Sequence, residues 1–337
     1  MDGSFVGRCG GLWGTTVWCD GKQRAGLVTD QEQAATGSRR RQRAMQLGGV
    51  VVSVLALAFV FASVDIGEVW DIVRGAEVAF LVLVLAVIST QLLIRGLRWS
   101  VLLPPRPDGT RVPTLRTIAP LLVGYLGNVV LPARLGEPIR AYLVARREHL
   151  DPLTSFGATV LERVLDVVTL ALLGLAAALA LDVEWWIVTL AALASGAGVI
   201  LVGLLVAVGS VRVVDILASV LARFGLAQRT ARLQHWARAF AGGLDRGRDL
   251  RRLGGALGLS LLAWLLDASI FWLVGRALGI DVGYPAAVVI GAVAVLATAV
   301  PSAPGYVGTF ELAATSAAVA MGVPQAEAVA LALVAHA

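Results

Sequence analysis

Two groups of ionisable residues interrupt apolar parts of this chain, and they are the residues best suited to chemistry. The groups are Arg134, Glu137 and Arg140 in a segment broken by Pro and Gly, and Glu162, Arg163 and Asp166 in the next apolar run. A charge at bilayer depth costs about 3 kcal/mol or more, so it is normally paired or lines a polar pathway. Charges of both signs around a broken segment therefore predict a buried polar site.

The second group lies on one face of a predicted helix. Its polar residues recur at steps of three or four: Ser155, Thr159, Glu162, Asp166 and Thr169. Two carboxylates one turn apart repel each other unless a cation lies between them or one is protonated, and Arg163 can supply that cation. The cluster can be a self-neutralising structural element or a polar stripe that faces a substrate path. We favour the second interpretation, because intramembrane charges most often mark functional sites.

The broken segment combines features that suit an anion. Arg134 and Arg140 carry planar, permanently charged guanidinium groups that match the geometry of phosphate. Gly136 permits close approach of the backbone, and a helix that begins near Glu137 would direct free N–H groups towards an anion. We favour a binding role for Arg134, whereas Arg140 is equally consistent with an anchor at the cytoplasmic face. Asn128 is a further candidate, with capping of the broken backbone as its alternative role.

Proline and glycine produce a second break in the C-terminal half. The backbone breakers are Pro132 and Gly136 in the first break, and Pro301, Pro304, Gly305 and Gly308 in the second. Glu311 follows the second break inside an apolar run, where it is a candidate partner for an arginine. Asp267, with Ser260 on the same helix face, is a further candidate. Either carboxylate can instead be a structural hydrogen-bonding group.

The composition places the chain among membrane proteins. Of its residues 58% are hydrophobic and 15% are charged, and the mean hydropathy is +0.80. Soluble domains are about a quarter charged and less than half apolar. The expected fold is an all-α, polytopic transmembrane helical bundle. The net charge of +5 lies in loops between apolar runs, so it indicates membrane orientation and no nucleic acid partner.

Long apolar runs outline the membrane domain, which we place at residues 45–337. Predicted spans cover residues 45–64, 78–94, 153–181, 185–209 and 253–278, and a further helix opens at residue 323. The loop charges follow the positive-inside rule and predict a cytoplasmic N-terminus. Arg95 and Arg98 follow the second span, and we assign them to its cytoplasmic end, where snorkelling explains them.

Two shorter apolar segments, residues 117–131 and 285–300, end at the two breaks. Each is shorter than the roughly 20 residues that cross a bilayer, so each is predicted to be re-entrant. The segments enter from opposite faces, which is the pattern of inverted repeats with a site between them. A kinked full span is the alternative for the second break.

Two polar regions flank or interrupt this domain. Residues 1–44 have no apolar period and are predicted to be a disordered cytoplasmic tail, or an over-extended start ahead of Met45. Residues 211–252 are basic, and a helical pattern within them predicts an amphipathic helix on anionic lipid headgroups.

No motif indicates a cofactor or a metal. A nucleotide-binding loop and a hydrolase nucleophile elbow are both missing from the sequence. His149, His235 and His336 are far apart, and Cys9 and Cys19 lack further ligands nearby, so neither set predicts a metal centre.

Three motifs in order resemble the lysylphosphatidylglycerol synthase transmembrane region, a family also called flippase-like or uncharacterised family 0104 membrane proteins. The motifs are Asn128 with Pro132-Ala-Arg-Leu-Gly-Glu137 and Arg140, then Glu162-Arg163 with Asp166, then Pro301-Ser-Ala-Pro-Gly305 with Gly308 and Glu311. The resemblance covers essentially all of residues 45–337.

The resemblance implies a multi-pass protein of the bacterial inner membrane that translocates a lipid with an anionic or modified headgroup. In some relatives this region precedes a soluble aminoacyltransferase domain that makes lysyl-phosphatidylglycerol. Because the membrane domain occupies residues 45–337, we do not expect the synthase activity, and an enzyme is the less favoured interpretation.

The leading hypothesis is a translocase for an anionic phospholipid or a polyprenyl-phosphate-linked sugar. Arg134, Arg140 and Arg163 would receive the phosphate, while carboxylates hold those arginines in place or exchange protons: Glu137, Glu162, Asp166 and Glu311. One alternative is an intramembrane transferase with Glu162 and Asp166 as acid and base. Another is a non-catalytic membrane partner of a glycosyltransferase or synthase.

Overall fold

The computed structural model of the chain describes most of the predicted membrane domain. The described residues are 7–10, 16–19, 48–62, 64–131, 135–181, 189, 192–193, 196–200, 203–204, 214–216, 219, 227–298 and 302–337. Of residues 7–10, 16–19, 178 and 227–233 only the backbone is described. The chain divides into two compact units, Met1–Val51 and Val52–Ala337.

The N-terminal unit contains a short antiparallel hairpin. Strand β1 (Gly7–Gly10) pairs with strand β2 (Thr16–Cys19), so that Gly7 lies opposite Cys19 and Gly10 opposite Thr16. These strands are regular structure inside a segment for which none was predicted. The other residues of 1–47 lie outside the described residues, and the cytoplasmic tail stays a prediction.

The other described elements are helical, which confirms the predicted all-α membrane class. The helices are α1 (Gly48–Ala62), α2 (Ile66–Arg74), α3 (Val78–Leu102), α4 (Thr114–Val130), α5 (Gly136–Glu148), α6 (Pro152–Ala180), α7 (Ala227–Leu244), α8 (Leu250–Ala277), α9 (Tyr284–Ala297), α10 (Thr309–Ala320) and α11 (Gln325–His336). Short 3-10 turns cover Asp245–Arg248 and Pro304–Tyr306.

Two described helices are long and apolar enough to cross a membrane. They are α3, with 25 residues, and α8, with 28 residues. Helices α1 and α2 meet at 85° and count as a third candidate if the bent pair is one span. Helix α6 occupies the predicted span at 153–181, whereas most of the predicted span at 185–209 lies outside the described residues.

The prediction for Arg95 and Arg98 is wrong. Helix α3 continues to Leu102, so both arginines lie within the helix and not in a loop beyond it. Carboxylates on α6 and α8 neutralise the two guanidinium groups. A count of loop charges cannot recognise such pairing, because the partners are distant in the chain.

Helices α4 and α5 form a tightly packed hairpin around glycines. A Cβ atom built on Gly127 would lie 2.9 Å from Gly136 Cα, and one built on Gly124 would lie 2.9 Å from Arg140 Cβ. As α4 advances its contacts move back along α5, so the helices are antiparallel. The chain therefore turns back after Leu131, as a re-entrant segment requires. Pro132 and Arg134 lie outside the described residues.

Helices α9 and α10 also pack against each other across the second break. The break contains Gly305 (φ +76°) and Gly308 (φ +93°), in conformations that favour glycine. Gly308 also packs closely on α1, since a Cβ atom there would lie 2.5 Å from Ser53 O. This packing favours a chain that turns back over a kinked span. Pro301 lies outside the described residues.

The order of helices repeats. A long helix, a two-helix hairpin and a further helix occur first as α3, α4–α5 and α6, and again as α8, α9–α10 and α11. Corresponding helices begin 170 to 173 residues apart: Val78 and Leu250, Thr114 and Tyr284, Gly136 and Thr309, Pro152 and Gln325. Helices α3 and α8 pack extensively on each other. This order supports an internal repeat, and its inversion in the membrane stays a prediction.

Helix α7 packs on α6 by close backbone contact. A Cβ atom built on Gly243 would lie 2.6 Å from Ala158 N, and one on Gly157 would lie 3.2 Å from Gly243 Cα. Phe156 and Phe240 add a ring contact with centroids 6.0 Å apart. One side of the basic segment 211–252 thus contacts protein, and contact of its other side with lipid headgroups stays a prediction.

We predict that Gly136→Ala destabilises the protein by about 1–3 kcal/mol, because the added methyl group would overlap the carbonyl oxygen of Gly124. Gly258→Ala on α8 is the matched control, since nothing lies within 4 Å of its Cβ position. Thermal unfolding in detergent measures both variants. Equal stability of the two variants would contradict the close α4–α5 contact.

Candidate functional site

The predicted polar face of α6 is confirmed as a buried surface. Its members Ser155, Thr159, Glu162, Asp166 and Thr169 all lie inside the protein. The hydroxyl groups of Thr159 and Thr169 donate to backbone carbonyls one turn earlier, at 3.0 and 2.8 Å. The hydroxyls are thus satisfied within the helix, and the carboxylates make the contacts to other helices.

Glu162 is the centre of an ion-pair network. Its carboxylate is 0% exposed and contacts three arginines from three helices. Arg98 of α3 approaches at 2.5 Å, Arg163 of α6 at 2.9 Å and Arg140 of α5 at 3.0 Å. A buried carboxylate with three charge-assisted partners ties these helices together.

Arg98 is the buried cation that bridges the two carboxylates of α6. Its Nη1 contacts Asp166 Oδ1 and donates to Ser260 Oγ of α8 at 2.8 Å. Its Nη2 donates to Glu162 and, at 3.3 Å, to Asp166 Oδ2. Trp264 Nε1 of α8 donates to Asp166 Oδ1 at 3.0 Å. Arg98 therefore shares the role expected of Arg163, which also contacts both carboxylates, and Arg98 lies on α3, 64 residues before Glu162 in the chain.

Arg140 joins the α4–α5 hairpin to this network. Its Nε donates to Glu137 Oε2 at 2.8 Å and its Nη2 to Glu162 Oε2 at 3.0 Å. The guanidinium lies 4.8 Å from the ring centroid of Trp99, in cation–π contact. Asn128 Nδ2 donates to Glu137 Oε1 at 3.4 Å. These contacts favour the buried role for Arg140 over a surface anchor.

Arg163 is the accessible arginine of the group. Its side chain is 32% exposed, whereas those of Arg98 and Arg140 are 0% and 1% exposed. Its Nη2 contacts Glu162 Oε1 at 2.9 Å and Asp166 Oδ2 at 3.2 Å. Its Nε lies 3.9 Å from Glu137 Oε1, the longest ion-pair contact in the network. Arg163 and Glu137 therefore form the edge of the network that a ligand can reach.

A second ion pair borders the network between α3 and α8. Arg95 Nη2 contacts Asp267 Oδ2 at 2.5 Å, and Gln91 Nε2 also donates to Asp267. The Arg95 guanidinium lies 5.3 Å from the ring centroid of Trp264, whose indole nitrogen bonds to Asp166. Asp267 is thus a structural partner of Arg95.

Among the described residues, the charges of this site balance. Its four arginines face four carboxylates: Arg95, Arg98, Arg140 and Arg163 against Glu137, Glu162, Asp166 and Asp267. Balanced pairing lets these groups lie among apolar helices, because an uncompensated buried charge costs several kcal/mol. An added anion must therefore displace a carboxylate from an arginine, or a cation or proton must bind together with it.

Some buried polar atoms keep hydrogen-bonding capacity beside the network. Within the described ranges, Arg140 Nη1, Asn128 Oδ1, Tyr125 Oη and Trp99 Nε1 make no hydrogen bond. The Tyr125 hydroxyl is near enough to Arg95 and Arg163 to interact with both electrostatically. Burial of a polar group without a hydrogen bond costs free energy, so such groups often lie where a ligand binds.

Of the predicted residues, Glu311 does not join this network, and Arg134 is not among the described residues. Glu311 lies in the second half, where it accepts a hydrogen bond from Gly308 N and contacts His336 Nδ1, each at 2.6 Å. Its partner is a histidine, so the expected pairing with an arginine is wrong. Arg134 lies outside the described residues, and its binding role stays a prediction.

Sequence reasoning missed Arg95 and Arg98 as site residues. The signal was present, because Gln91, Arg95 and Arg98 share one face of α3 at steps of four and three. Their position near the predicted end of a span made interfacial snorkelling a sufficient explanation.

No group of three or more His, Cys, Asp or Glu side chains suited to a metal ion occurs in the part of the chain that the structure describes.

We predict that Glu162→Gln destabilises the protein by about 3–5 kcal/mol, because three arginines would lose their shared buried counter-charge. Glu68→Gln, at an exposed position on α2, is the control with the same chemical change. Thermal unfolding followed by tryptophan fluorescence compares the two. A Glu162 variant as stable as the Glu68 variant would contradict the central role of this carboxylate.

Comparisons with known proteins agree with the helical membrane architecture. The family described as Lysylphosphatidylglycerol synthase TM region matches residues 46–337. A relative from Haloferax volcanii named Glycosyltransferase AglD is 28% identical over 336 residues, which cover 90% of this chain and 54% of that protein. The chain thus spans about half the length of AglD.

Proteins named UPF0104 membrane protein from Methanothermobacter thermautotrophicus are also similar. One is 25% identical over 286 residues, 78% of this chain and 81% of that protein. Another is 28% identical over 134 residues, 38% of each chain. No solved structure matches this chain.

Proposed function

This chain belongs to the lysylphosphatidylglycerol synthase TM region family, and we propose that it is a membrane translocase for a lipid or lipid-linked sugar, with the headgroup phosphate bound at Arg163. The observation that carries this proposal is the 32% exposure of Arg163 at the edge of an otherwise buried network. A guanidinium that faces outward among apolar helices matches a phosphate on a hydrophobic tail.

Exchange of one ion pair admits the phosphate. Glu137 and Arg163 are joined by a contact of 3.9 Å, and the Glu137 side chain is 16% exposed. A phosphate that takes the place of Glu137 on Arg163 leaves Glu137 bound to Arg140 and Asn128. The remaining contacts of Arg140 and Arg98 with Glu162 keep the helices assembled. The exchange therefore costs one weak contact and gains one charged pair.

Groups next to Arg163 can bind the rest of the headgroup. Tyr125 Oη and Asn128 Oδ1 are polar atoms with no hydrogen bond among the described residues. Hydroxyl and amide groups of this kind suit the hydroxyls of a glycerol or a sugar. Arg134 lies outside the described residues, and its role in binding the phosphate stays a prediction.

The two helical hairpins provide an element that can move. A Cβ atom built on Gly305, in the second break, would lie 3.8 Å from Val129 Cγ1 at the end of α4. The second break thus contacts the end of α4, while Arg95 and Asp267 connect the long helices of the two halves. Movement of one repeat against the other would expose Arg163 to each leaflet in turn.

The relatives support two lipid classes. The name of AglD supports a lipid-linked sugar as the cargo, since glycosyltransferases of membranes act on such carriers. The family name supports an anionic phospholipid. Both classes present a phosphate on an apolar tail, and the transfer assay separates them.

We predict that Arg163→Gln lowers the rate of lipid transfer by roughly 10–100-fold, the equivalent of a lost charged hydrogen bond worth about 1.5–3 kcal/mol. Purified protein in liposomes is assayed separately with fluorescent phosphatidylglycerol and a fluorescent polyprenyl-phosphate-linked sugar. Arg163→Lys should recover part of the rate, because it retains the charge and loses the planar fork.

Arg276→Gln is the control, because this exposed arginine lies near the end of α8 beside Asp281. Wild-type protein that transfers neither lipid, or an Arg163 variant as fast as the control, would contradict the proposal. Mass spectrometry of the recovered lipid tests the transferase alternative, which requires a chemically altered product.

A second candidate is a non-catalytic membrane partner of a glycosyltransferase. It is supported by the match to AglD, which includes 90% of this chain but about half of that relative. We predict in this case that co-reconstitution with the host's glycosyltransferase gives a one-to-one complex with severalfold higher sugar transfer. Unchanged sugar transfer would exclude this candidate.

A further inference from the structure

The second half contains an ion pair that the proposed headgroup site does not use. Glu311 Oε1 and His336 Nδ1 lie 2.6 Å apart, and Glu311 Oε2 accepts a hydrogen bond from Gly308 N at 2.6 Å. The imidazole stacks on Phe310 with ring centroids 4.2 Å apart. Glu311 is buried, and the His336 side chain is 24% exposed. The pair is therefore well ordered and reachable from one side.

This pair occupies the position of Glu137 and Arg163 in the internal repeat. Glu137 and Glu311 both lie in the first turn of the helix after a break, α5 and α10. Arg163 and His336 are each the twelfth residue of the following helix, α6 and α11. Each half thus joins the carboxylate of its hairpin to a basic residue at the same place in the next helix.

Within the described residues, Glu311 and His336 form an ion pair with each other and with no further side chain. Several elements pack on α10 and α11 and carry ionisable residues. These residues are Tyr306 of the 3-10 turn, Glu68, Asp71 and Arg74 of α2, Arg251, Arg252, Asp267 and Arg276 of α8, Tyr284 of α9, and Glu327 of α11 itself. Helix α1, which packs on α11, has none. Within the described residues, none of these side chains pairs with Glu311 or His336.

The two pairs differ in one chemical property. Arg163 stays charged at any accessible pH, whereas histidine gains or loses a proton near neutral pH. Because Glu311 accepts at Nδ1, the added proton belongs on Nε2. The pair then changes from a net charge of −1 to zero, without a change in its hydrogen bond.

We propose that Glu311 and His336 form a proton-binding site, the counterpart of the Glu137–Arg163 pair, and that its proton moves together with the headgroup phosphate. The second part rests on the proposed translocase function. A phosphodiester adds one negative charge to the network around Glu162, in which the charges of the described residues balance, and a proton on His336 removes one from the second half. The two events together leave the charge buried in the protein unchanged. Proton and phosphate therefore cross in the same direction, one for one.

The first experiment tests the proton site without transport. The full chain in lipid nanodiscs, labelled with ¹⁵N-histidine, is titrated by NMR between pH 5 and pH 9, and His336→Gln assigns the signal. We expect the ¹⁵N signals of wild-type His336 to show a proton on Nδ1 at high pH and on both ring nitrogens at low pH. Glu311→Gln should lose the preference for Nδ1, because the carboxylate accepts the hydrogen bond there. The signal of His235, exposed on α7, should stay unchanged.

Absence of a His336 transition in the wild type would overturn the proton site, whether or not the Glu311 variant folds. An unchanged preference for Nδ1 in folded Glu311→Gln would overturn it too.

The second experiment tests the coupling. Liposomes with an imposed pH difference of one unit are given fluorescent phosphatidylglycerol, whose phosphodiester keeps one charge over this range. One-for-one coupling predicts up to about a tenfold lipid accumulation in the direction of proton flow. His336→Gln should accumulate no lipid, whereas His235→Gln should behave like wild type.

The outcomes separate the two proposals. Wild-type transfer that ignores the pH difference, or a His336 variant that still responds to it, overturns the coupling while the transfer supports the translocase. Wild-type protein with no transfer of either lipid overturns the translocase and the coupling together, and the NMR titration decides the proton site by itself.

Discussion

The buried carboxylate of Glu162 is the interaction on which the rest of the site depends. It neutralises arginines from α3, α5 and α6, and each of these would otherwise be a charge among apolar helices. Removal of water from so many charges is unfavourable unless every one of them is paired. The network therefore requires the hairpin, the long helix α3 and α6 in one arrangement, and that requirement places Arg163 and Glu137 at its accessible edge.

Balanced charge also limits what the site can do. A network with as many carboxylates as arginines does not attract an anion by excess charge, and it binds one by exchange of partners. The weakest and most exposed contact, between Glu137 and Arg163, is where exchange disturbs the least structure. The repeat places the Glu311–His336 pair at the corresponding position of the other half. The basic residue is therefore a permanently charged arginine in one half and a titratable histidine in the other.

Local sequence patterns predicted which residues share a helix face, whereas partners distant in the chain could not be predicted from them. The polar face of α6 was correctly predicted from spacing, because residues three and four apart share a helix face whatever surrounds them. Arg98 was assigned wrongly, since its partners Glu162 and Asp166 are 64 and 68 residues away and snorkelling explained the arginine as well. Glu311 was correctly singled out as a buried carboxylate, but its partner His336 is 25 residues away and carried no local signal.

The sequence by itself determined the membrane class, the two breaks and the candidate charges, because hydropathy, proline and glycine act on the residues next to them. The tertiary structure alone decided which carboxylate neutralises which arginine, that the chain turns back at the first break, and that α3 belongs to the site. The physical reason is that a buried charge is tolerated only beside its counter-charge. The choice of that partner depends on how helices far apart in the chain pack together.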